Sequence, residues 1–177
     1  MRKIEVKSMR KIKKAVPLIE SRLKVHFSFG KTFVNIKGPE LSEFLAEEIV
    51  RAINFGFRAD DAMLLKDENF VLEFIDVKEN THRKNLKDVR ARLIGTKGKA
   101  RKTIENLTGS VIVINGNRVG IIVDSLHLDA VTSAIESLIR GAKHGNVFSY
   151  LEKQGTIIRK SDDDLGLKNV ETGKEIL

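Results

Sequence analysis

Apolar residues follow the same succession of patterns twice along this chain. Strand patterns at 24–29 and 32–37 flank a glycine turn and precede an amphipathic helix. The same order returns 86 residues later, with strand patterns at 110–114 and 118–123, an Asn-Gly-Asn turn and an amphipathic helix that Gly141 ends. Because the turn glycine and the elements on both sides of it coincide, we interpret the chain as an internal repeat.

The second copy has a longer front half than the first. Its predicted elements are a strand at 69–79, a helix at 85–94, a loop at 95–98 and a helix at 99–108 that Gly109 closes. This order is typical of an α+β module in which helices cover one face of a three-stranded sheet. We therefore predict such a module at 69–143, followed by a C-terminal helix and tail at 144–177.

The first copy lacks the glycine loop. Positions that correspond to the loop are occupied by residues 9–12, Met-Arg-Lys-Ile, and only eight residues precede them. Those eight residues are too few for both a strand and a full first helix. We expect a degenerate module at 1–56, with its helical half truncated or fused and no working phosphate loop.

The segment between the two modules, 57–68, predicts a helical connector. It and its flank carry five apolar side chains, at Phe55, Phe57, Met63, Leu64 and Leu65. A flexible linker would instead be Gly/Ser-rich or highly polar. We expect the connector to pack between the modules, so that the chain forms one rigid, monomeric unit.

Composition excludes several classes of protein. Apolar residues make up 41% and charged residues 32%, which is ordinary for a globular protein with a heavily charged surface. The absence of cysteine excludes disulfides, thiolate metal sites and cysteine nucleophiles. No apolar run approaches the roughly 18 residues that span a bilayer, and the N-terminus lacks the apolar stretch of a signal peptide. We expect a cytoplasmic protein with no membrane contact.

The net charge of +8 is distributed in blocks. Residues 2–24 and residues 83–102 each carry nine Lys or Arg, whereas residues 40–79 hold eleven acids and four bases. Two basic blocks favour a nucleic-acid binder with a cationic side. The alternative is that the basic residues lie on solvated helix faces. One basic block alone would not distinguish this alternative from a nucleic-acid binder.

The loop at 95–98 combines glycines with cations. Gly95 and Gly98 allow a sugar–phosphate strand to approach the backbone closely. The helix that begins near Lys99 adds free N–H groups and the positive end of its dipole, both of which favour anions. The sequence therefore predicts a site for a phosphate backbone.

The order of elements, with "IGTKG" between the first two helices, resembles the type I KH domain, which binds RNA and single-stranded DNA. The whole chain resembles the archaeal branch of the Dim-two/Partner-of-Nob-one family of ribosome assembly factors. The stretches that carry this likeness are "FGFRADDAMLLKDENFVLEFIDVKE", 55–79, and "GTKGKARKTIENLT", 95–108. The resemblance covers roughly 1–152.

This resemblance implies two tandem KH modules, of which the second binds small-subunit rRNA near its 3′ end. It also implies a partner, the PIN-domain endonuclease that matures that end, and a role that is not enzymatic and needs no cofactor or metal. The predicted RNA-binding residues are Arg90, Arg92, Ile94, Gly95, Thr96, Lys97, Gly98, Lys99, Arg101 and Lys102. Secondary phosphate contacts are predicted at Arg10, Lys11, Lys13 and Lys14.

The bases are expected in an aliphatic groove between the helix that ends at Ile94 and the strand at 110–114. Residues 80–147 contain no aromatic side chain, whereas RRM and OB-fold surfaces stack bases on aromatics. Phenylalanines instead cluster before residue 80 and are predicted as core packing, at Phe27, Phe29, Phe33, Phe44 and Phe74.

Two other functions stay open at this point. The chain could be a KH protein of RNA decay or translation, or a protein adaptor that uses KH folds as a scaffold. Nucleotide hydrolysis is disfavoured, because only two residues separate the loop glycines and Ala100 follows Lys99, unlike a Walker loop.

Overall fold

The computed structural model describes residues 1–164, and its elements form two consecutive α+β modules. The first contains β1 (Arg2–Glu5), α1 (Met9–Leu23), β2 (His26–Phe29), β3 (Phe33–Lys37) and α2 (Glu40–Phe55). The second contains β4 (Phe70–Asp76), α4 (Leu86–Ile94), α5 (Lys99–Thr108), β5 (Val111–Asn115), β6 (Arg118–Asp124) and α6 (Leu128–Arg140). Between them lie α3 (Ala59–Ala62) and a 3₁₀ turn (Met63–Lys66), and α7 (His144–Asp164) follows.

The two sheets have the same antiparallel topology. Their strand orders are β1-β3-β2 and β4-β6-β5, so the last strand of each sheet in the chain is the central one. The predicted hairpin between β5 and β6 is confirmed, since Asn115 pairs with Arg118 across a two-residue turn. Gly116 has a φ of 58° in that turn, which glycine adopts at little cost.

The second sheet is covered on both faces. Ile121 and Val123 point into a core formed with α4, α5, α6 and α7, whereas Ile122 points into the core of the first module. A strand buried on both sides has a continuous apolar sequence, which explains the run from Val119 to Val123. The two modules therefore share one interface and pack as one unit.

The connector forms part of this interface. Phe57, Ala62 and Leu65 are buried in the first module's core, so the segment between the modules packs against it. Phe55 and Phe57 lie on the second sheet directly over Gly120, where a Cβ would stand only 2.7 to 2.8 Å from their rings. Glycine at this position allows the two aromatic rings to reach the sheet.

The first module differs from the expectation at its start. Eight residues suffice for β1, which pairs antiparallel with β3. One helix, α1, then replaces the helix, loop and helix of the second module, and residues 9–12 form its first turn. The helical half is thus shortened as predicted, but the strand is retained.

The phenylalanine prediction is wrong for two residues. Phe29 is 40% exposed and Phe44 is 46% exposed, so neither belongs to the core. Both lie at the rim of the first module, where Lys13 Nζ is 5.3 Å from the ring centre of Phe29 and the Arg2 guanidinium is 5.4 Å from that of Phe44. Phe27 and Phe33 are half-buried in the same module, and Phe74 is half-buried at the interface.

The C-terminal helix α7 packs on the second module. Val147 and Leu151 are buried in the core of that module. The predicted tail beyond residue 164 lies outside the described residues. Within the described part of the chain, no helix is long and apolar enough to cross a membrane.

Candidate nucleic-acid interface

The loop between α4 and α5 makes two sharp backbone turns. Gly95 has φ 72° and ψ 173°, a conformation that is essentially restricted to glycine, and Gly98 has φ 77° and ψ 11°. Lys97 also lies in the left-handed region, with φ 52°. These turns expose Thr96 and Lys97 to solvent at the tip of the loop.

Gly95 is required by close packing as well as by its conformation. A Cβ at this position would stand 2.6 Å from the backbone nitrogen of Ala100 and 2.6 Å from its Cβ. The first turn of α5 is therefore pressed against the loop. Among the described residues no side chain caps the N-terminus of α5, so its free N–H groups and dipole are available to an anion.

Cations surround this helix start. Lys99 and Lys102 are exposed, whereas Arg101 is half-buried and reaches along α5 away from the loop, with its Nε 3.6 Å from Glu105 Oε2. The geometry brings Gly95, Thr96, Lys97, Gly98, Lys99 and Lys102 of the predicted set together around one point. This arrangement can hold a phosphate group against backbone N–H groups with lysines beside it.

One wall of the expected groove would be α4, which extends from the loop. Arg90 and Ile94 are four residues apart and share one face of the helix. Arg90 Nη1 donates to Asn117 Oδ1 at 2.7 Å and to the Gly116 carbonyl at 3.3 Å, which brings this face next to the β5–β6 turn. Ile94 is 41% exposed on this face.

The opposite wall is the outer edge of β5. Its residues bond to β6 at every second position, so the backbone groups of Ile112 and Ile114 face away from β6. Glu105 Oε1 already accepts the Ile112 N–H at 2.9 Å. The N–H and C=O groups of Ile114 point to the same outer edge, a feature that a residue-type pattern does not reveal.

Arg92 is on another side of α4. It is two residues from Arg90 and so is rotated about 200° from it on the helix. Its Nη2 donates to the Ala142 carbonyl at 2.6 Å, and the Arg92 carbonyl accepts from His144 Nε2 at 2.9 Å. The structure therefore separates Arg92 from the groove and places it at the junction with α7.

That junction contains a cavity of about 470 Å³ on the other side of the loop. Gly95, Thr96 and Lys99 line it from the loop, and His144 and Phe148 line it from α7. The sequence pattern gave no indication that α7 would lie against the glycine loop.

The predicted secondary contacts are all on α1. Arg10, Lys11, Lys13 and Lys14 are exposed, while the opposite face of the helix buries Ile12 and its apolar neighbours. These cations project from the side of a continuous helix rather than from a loop. Within residues 1–158, whose side chains are described, no group of three or more His, Cys, Asp or Glu is placed to hold a metal ion.

Comparison with known proteins agrees with this geometry. A family model for the second KH domain of PNO1 proteins, described as a eukaryotic-type KH domain (type I), matches residues 71–156. The crystal structure of Dim2p from Pyrococcus horikoshii is 30% identical, with a TM-score of 0.76 over 86% of this chain and 98% of that one. The chain belongs to the Dim2/PNO1 family of KH-domain proteins.

Two curated relatives are similar to parts of this chain. The KH domain-containing protein MJ0443 of Methanocaldococcus jannaschii is 34% identical over 72% of this chain and 57% of its own length. The pre-rRNA-processing protein pno1 of Aspergillus fumigatus is 33% identical over 60% of this chain and 44% of its own. The chain thus spans about half the length of these curated relatives.

One further structure of the family contains bound partners. It is the complex of a/eIF2alpha, aDim2p and rRNA from Pyrococcus horikoshii, in which the matching chain is 30% identical. The TM-score is 0.78 over 88% of this chain and 94% of that one.

Proposed function

We propose that this protein is an RNA-binding assembly factor of the small ribosomal subunit, which holds single-stranded rRNA on its second module. The observation that carries the proposal is the glycine loop at the start of α5. Its tip exposes Thr96 and Lys97 beside an uncapped helix N-terminus, and the exposed Ile94 lies directly before it at the end of α4. A KH loop of this type clamps about four backbone nucleotides while their bases enter the groove.

The names of family members support rRNA as the ligand. A fungal relative is a pre-rRNA-processing protein, and a structural neighbour forms a complex with rRNA. In our proposal the bound segment lies near the 3′ end of the small-subunit rRNA, and the PIN-domain endonuclease of rRNA maturation is the protein partner. We further propose that the protein is a cytoplasmic monomer without enzymatic activity.

Crosslinking in cells, followed by sequencing of the attached RNA, tests the identity of the ligand. We expect crosslinks on small-subunit rRNA, concentrated near its 3′ end and attached to residues of the loop at 95–98. A spread of messenger fragments would instead support a KH protein of RNA decay or translation. Recovery of no RNA would support an adaptor role.

The salt dependence of binding tests the mechanism. If about four phosphates are neutralised, log K against log salt should have a slope near −3, at roughly 0.7 per single-strand contact. Anisotropy titrations with a labelled single-stranded RNA measure this slope directly. A slope near zero would contradict an electrostatic clamp at the loop.

A further inference from the structure

The first strand of the second sheet, β4, has an unpaired edge. In the described structure β4 pairs only with β6. The ladder is flanked by hydrogen bonds from Ser125 N to Asn69 O and from Val77 N to Asn117 O, each 2.8 Å long. An antiparallel strand forms backbone hydrogen bonds to its neighbour at alternate residues. The backbone N–H and C=O groups of the odd-numbered residues of β4 therefore point towards β6. The peptide groups of Leu72 and Phe74 therefore point to the free edge.

A cleft opens along this edge. It has a volume of about 280 Å³ and lies between the start of β4 and the side of α2. Val71 and Leu72 both line it, although consecutive strand residues point to opposite faces of a sheet. An opening at the edge of the strand reaches both, which places the cleft beside the outward peptide groups at the start of β4.

The walls of the cleft are apolar. Phe44 and Leu45 of α2 face Leu65 and Phe70 across it. Phe44 is 46% exposed, and Leu41, one turn before Leu45 on the same helix, is 70% exposed. A seven-residue edge strand of sequence FVLEFID is unusually apolar for an edge, since natural edges are normally protected by charges, bulges or a cover.

The rim of the cleft is acidic. Of the described residues that line it, three are carboxylates, Glu48, Asp67 and Glu68, and none is basic. Glu48 is paired with Arg51 at 2.6 Å, so the unbalanced charge comes from Asp67 and Glu68. Glu73 adds a fourth exposed carboxylate on β4 itself. The predicted RNA-binding cations are elsewhere, around the start of α5. An RNA strand would be repelled here, whereas a cationic chain would be attracted.

We propose that the free edge of β4 binds an extended segment of a partner protein, in which basic and aliphatic residues alternate. The segment would add a strand to the sheet through the peptide groups of Leu72 and Phe74. Its aliphatic side chains would enter the cleft beside Phe44 and Leu45, and its basic ones would meet the carboxylates of the rim. This site is separate from the RNA site, and its test does not depend on RNA binding.

The test uses a capped nonapeptide of alternating Lys and Val, with an alternating Glu and Val peptide for comparison. We expect the basic peptide to bind and the amides of Leu72 and Phe74 to become protected from hydrogen exchange, as read from NMR spectra. Two further forms of this peptide are N-methylated at alternate amides, one at the odd positions and one at the even positions. Only one of them should bind, because a strand added to an edge uses the amides on one side of its backbone.

Charge reversal at the rim sharpens the test. The double variant Glu68→Lys, Glu73→Lys changes two exposed carboxylates and should weaken the basic peptide about tenfold. The matched control is Glu79→Lys, Glu152→Lys, which changes net charge equally at two exposed positions away from the cleft and should leave affinity within about twofold. Thermal unfolding checks that both variants fold.

Several results would overturn the proposal. One is the absence of binding up to millimolar peptide, and another is equal binding of the acidic peptide. Protection at amides other than those of β4 would place the peptide elsewhere. If the protein alone shows concentration-dependent protection of Leu72 and Phe74 together with a dimer in ultracentrifugation, the edge belongs to a second copy of this chain.

Discussion

Each module has its own three-stranded sheet, and the two sheets have the same topology. The modules differ in the segment that connects the first two strands of each sheet. In both, the last strand is central and the final helix packs beneath it. The first module makes the connection with one 15-residue helix, whereas the second uses α4, the glycine loop and α5. The sheet and final helix are thus common to both copies, and the proposed binding chemistry lies in the segment that only one of them has.

The cations of the two modules are also held differently. In the first, Lys3 Nζ lies 4.0 Å from the ring centre of Phe33, and Lys13 lies over Phe29. Such contacts place a positive charge against a ring face. In the second, Lys97 and Lys99 extend from a glycine loop into solvent. The two basic blocks of this chain therefore differ in structure, since cations of the first pack on aromatic rings and cations of the second extend into solvent.

The largest difference in RNA affinity between variants of the two modules should appear when the tip of the glycine loop is made acidic. Replacement of Thr96 and Lys97 by Asp should lower affinity for single-stranded RNA by about two orders of magnitude, because hydrogen bonds to charged phosphates contribute roughly 1.5–3 kcal/mol each. The fold should persist, since both residues are exposed and Asp tolerates the left-handed backbone of Lys97. Anisotropy titration measures the affinity.

The matched control is Arg10→Asp, Lys11→Asp in the first module. Both side chains are exposed on α1, and the change in net charge is larger by one unit. We expect only a few-fold loss, through general electrostatics. Equal losses from the two double variants would contradict the assignment of RNA binding to the second module alone.

Substitutions at the two loop glycines should have different, smaller effects on RNA binding and stability. Gly95→Ala should weaken RNA binding about tenfold and destabilise the protein by roughly 1–3 kcal/mol, because the new Cβ meets the start of α5 in a glycine-only conformation. Gly98→Asn is the control, since Gly98 has open space around it and Asn adopts the left-handed region. RNA titration and denaturant unfolding together measure the two effects, and equal effects of both substitutions would disprove the packing argument.

The contact between modules should depend on Gly120. Gly120→Ala should lower the free energy of unfolding by about 1–3 kcal/mol, because Phe55 and Phe57 must move away from the added methyl group. Amide exchange through 57–66 should become faster in the variant. Gly145→Ala, within α7 and without close neighbours, should change stability by less than about 1 kcal/mol. An unchanged exchange rate in the connector would show that the contact of Phe55 and Phe57 with Gly120 does not hold it in place.

The smallest predicted effect is a pH dependence in the first module. Hydrogen bonds from the N-terminal amino group, at 2.8 Å, and from Gly38 N, at 3.0 Å, hold the pKa of Glu43 below its ordinary value of 4.5. A lowered pKa means that the folded state binds this proton less well than the unfolded one, so the stabilisation is present above about pH 4.5 and is lost as pH falls. Glu43→Gln should therefore show a shallower loss of Tm between pH 6 and pH 3. An identical acid dependence in wild type and variant would argue against this role.

The sequence predicted the features that depend on neighbouring residues. The Asn-Gly-Asn hairpin, the bounds of α5 and the helix ends at Gly109 and Gly141 follow from local turn and cap chemistry, and the structure confirms them. The internal offset of the repeat likewise predicted that the loop is absent from the first module, where residues 9–12 are helical.

Features that depend on distant contacts were not predictable in this way. The direction of Arg92 is set by Ala142 and His144, fifty or more residues further along the chain. The contact of Arg90 with Asn117 also joins two elements that only the folded sheet brings together. Phe29 and Phe44 are apolar like core residues, but they are 40% and 46% exposed at the rim of the first module, which residue type alone does not predict.

The double covering of the second sheet has a consequence for any shortened form of this protein. Removal of residues 1–68 would uncover Phe70, Leu72, Val111, Val113 and Ile122, all of which pack against the first module's core. At roughly 25 cal/mol for each Å² of apolar surface, returning such a patch to water costs several kcal/mol, a large fraction of the stability of an ordinary domain. The first module thus covers an apolar face of the second sheet, and the smallest stably folded unit of this chain is both modules together.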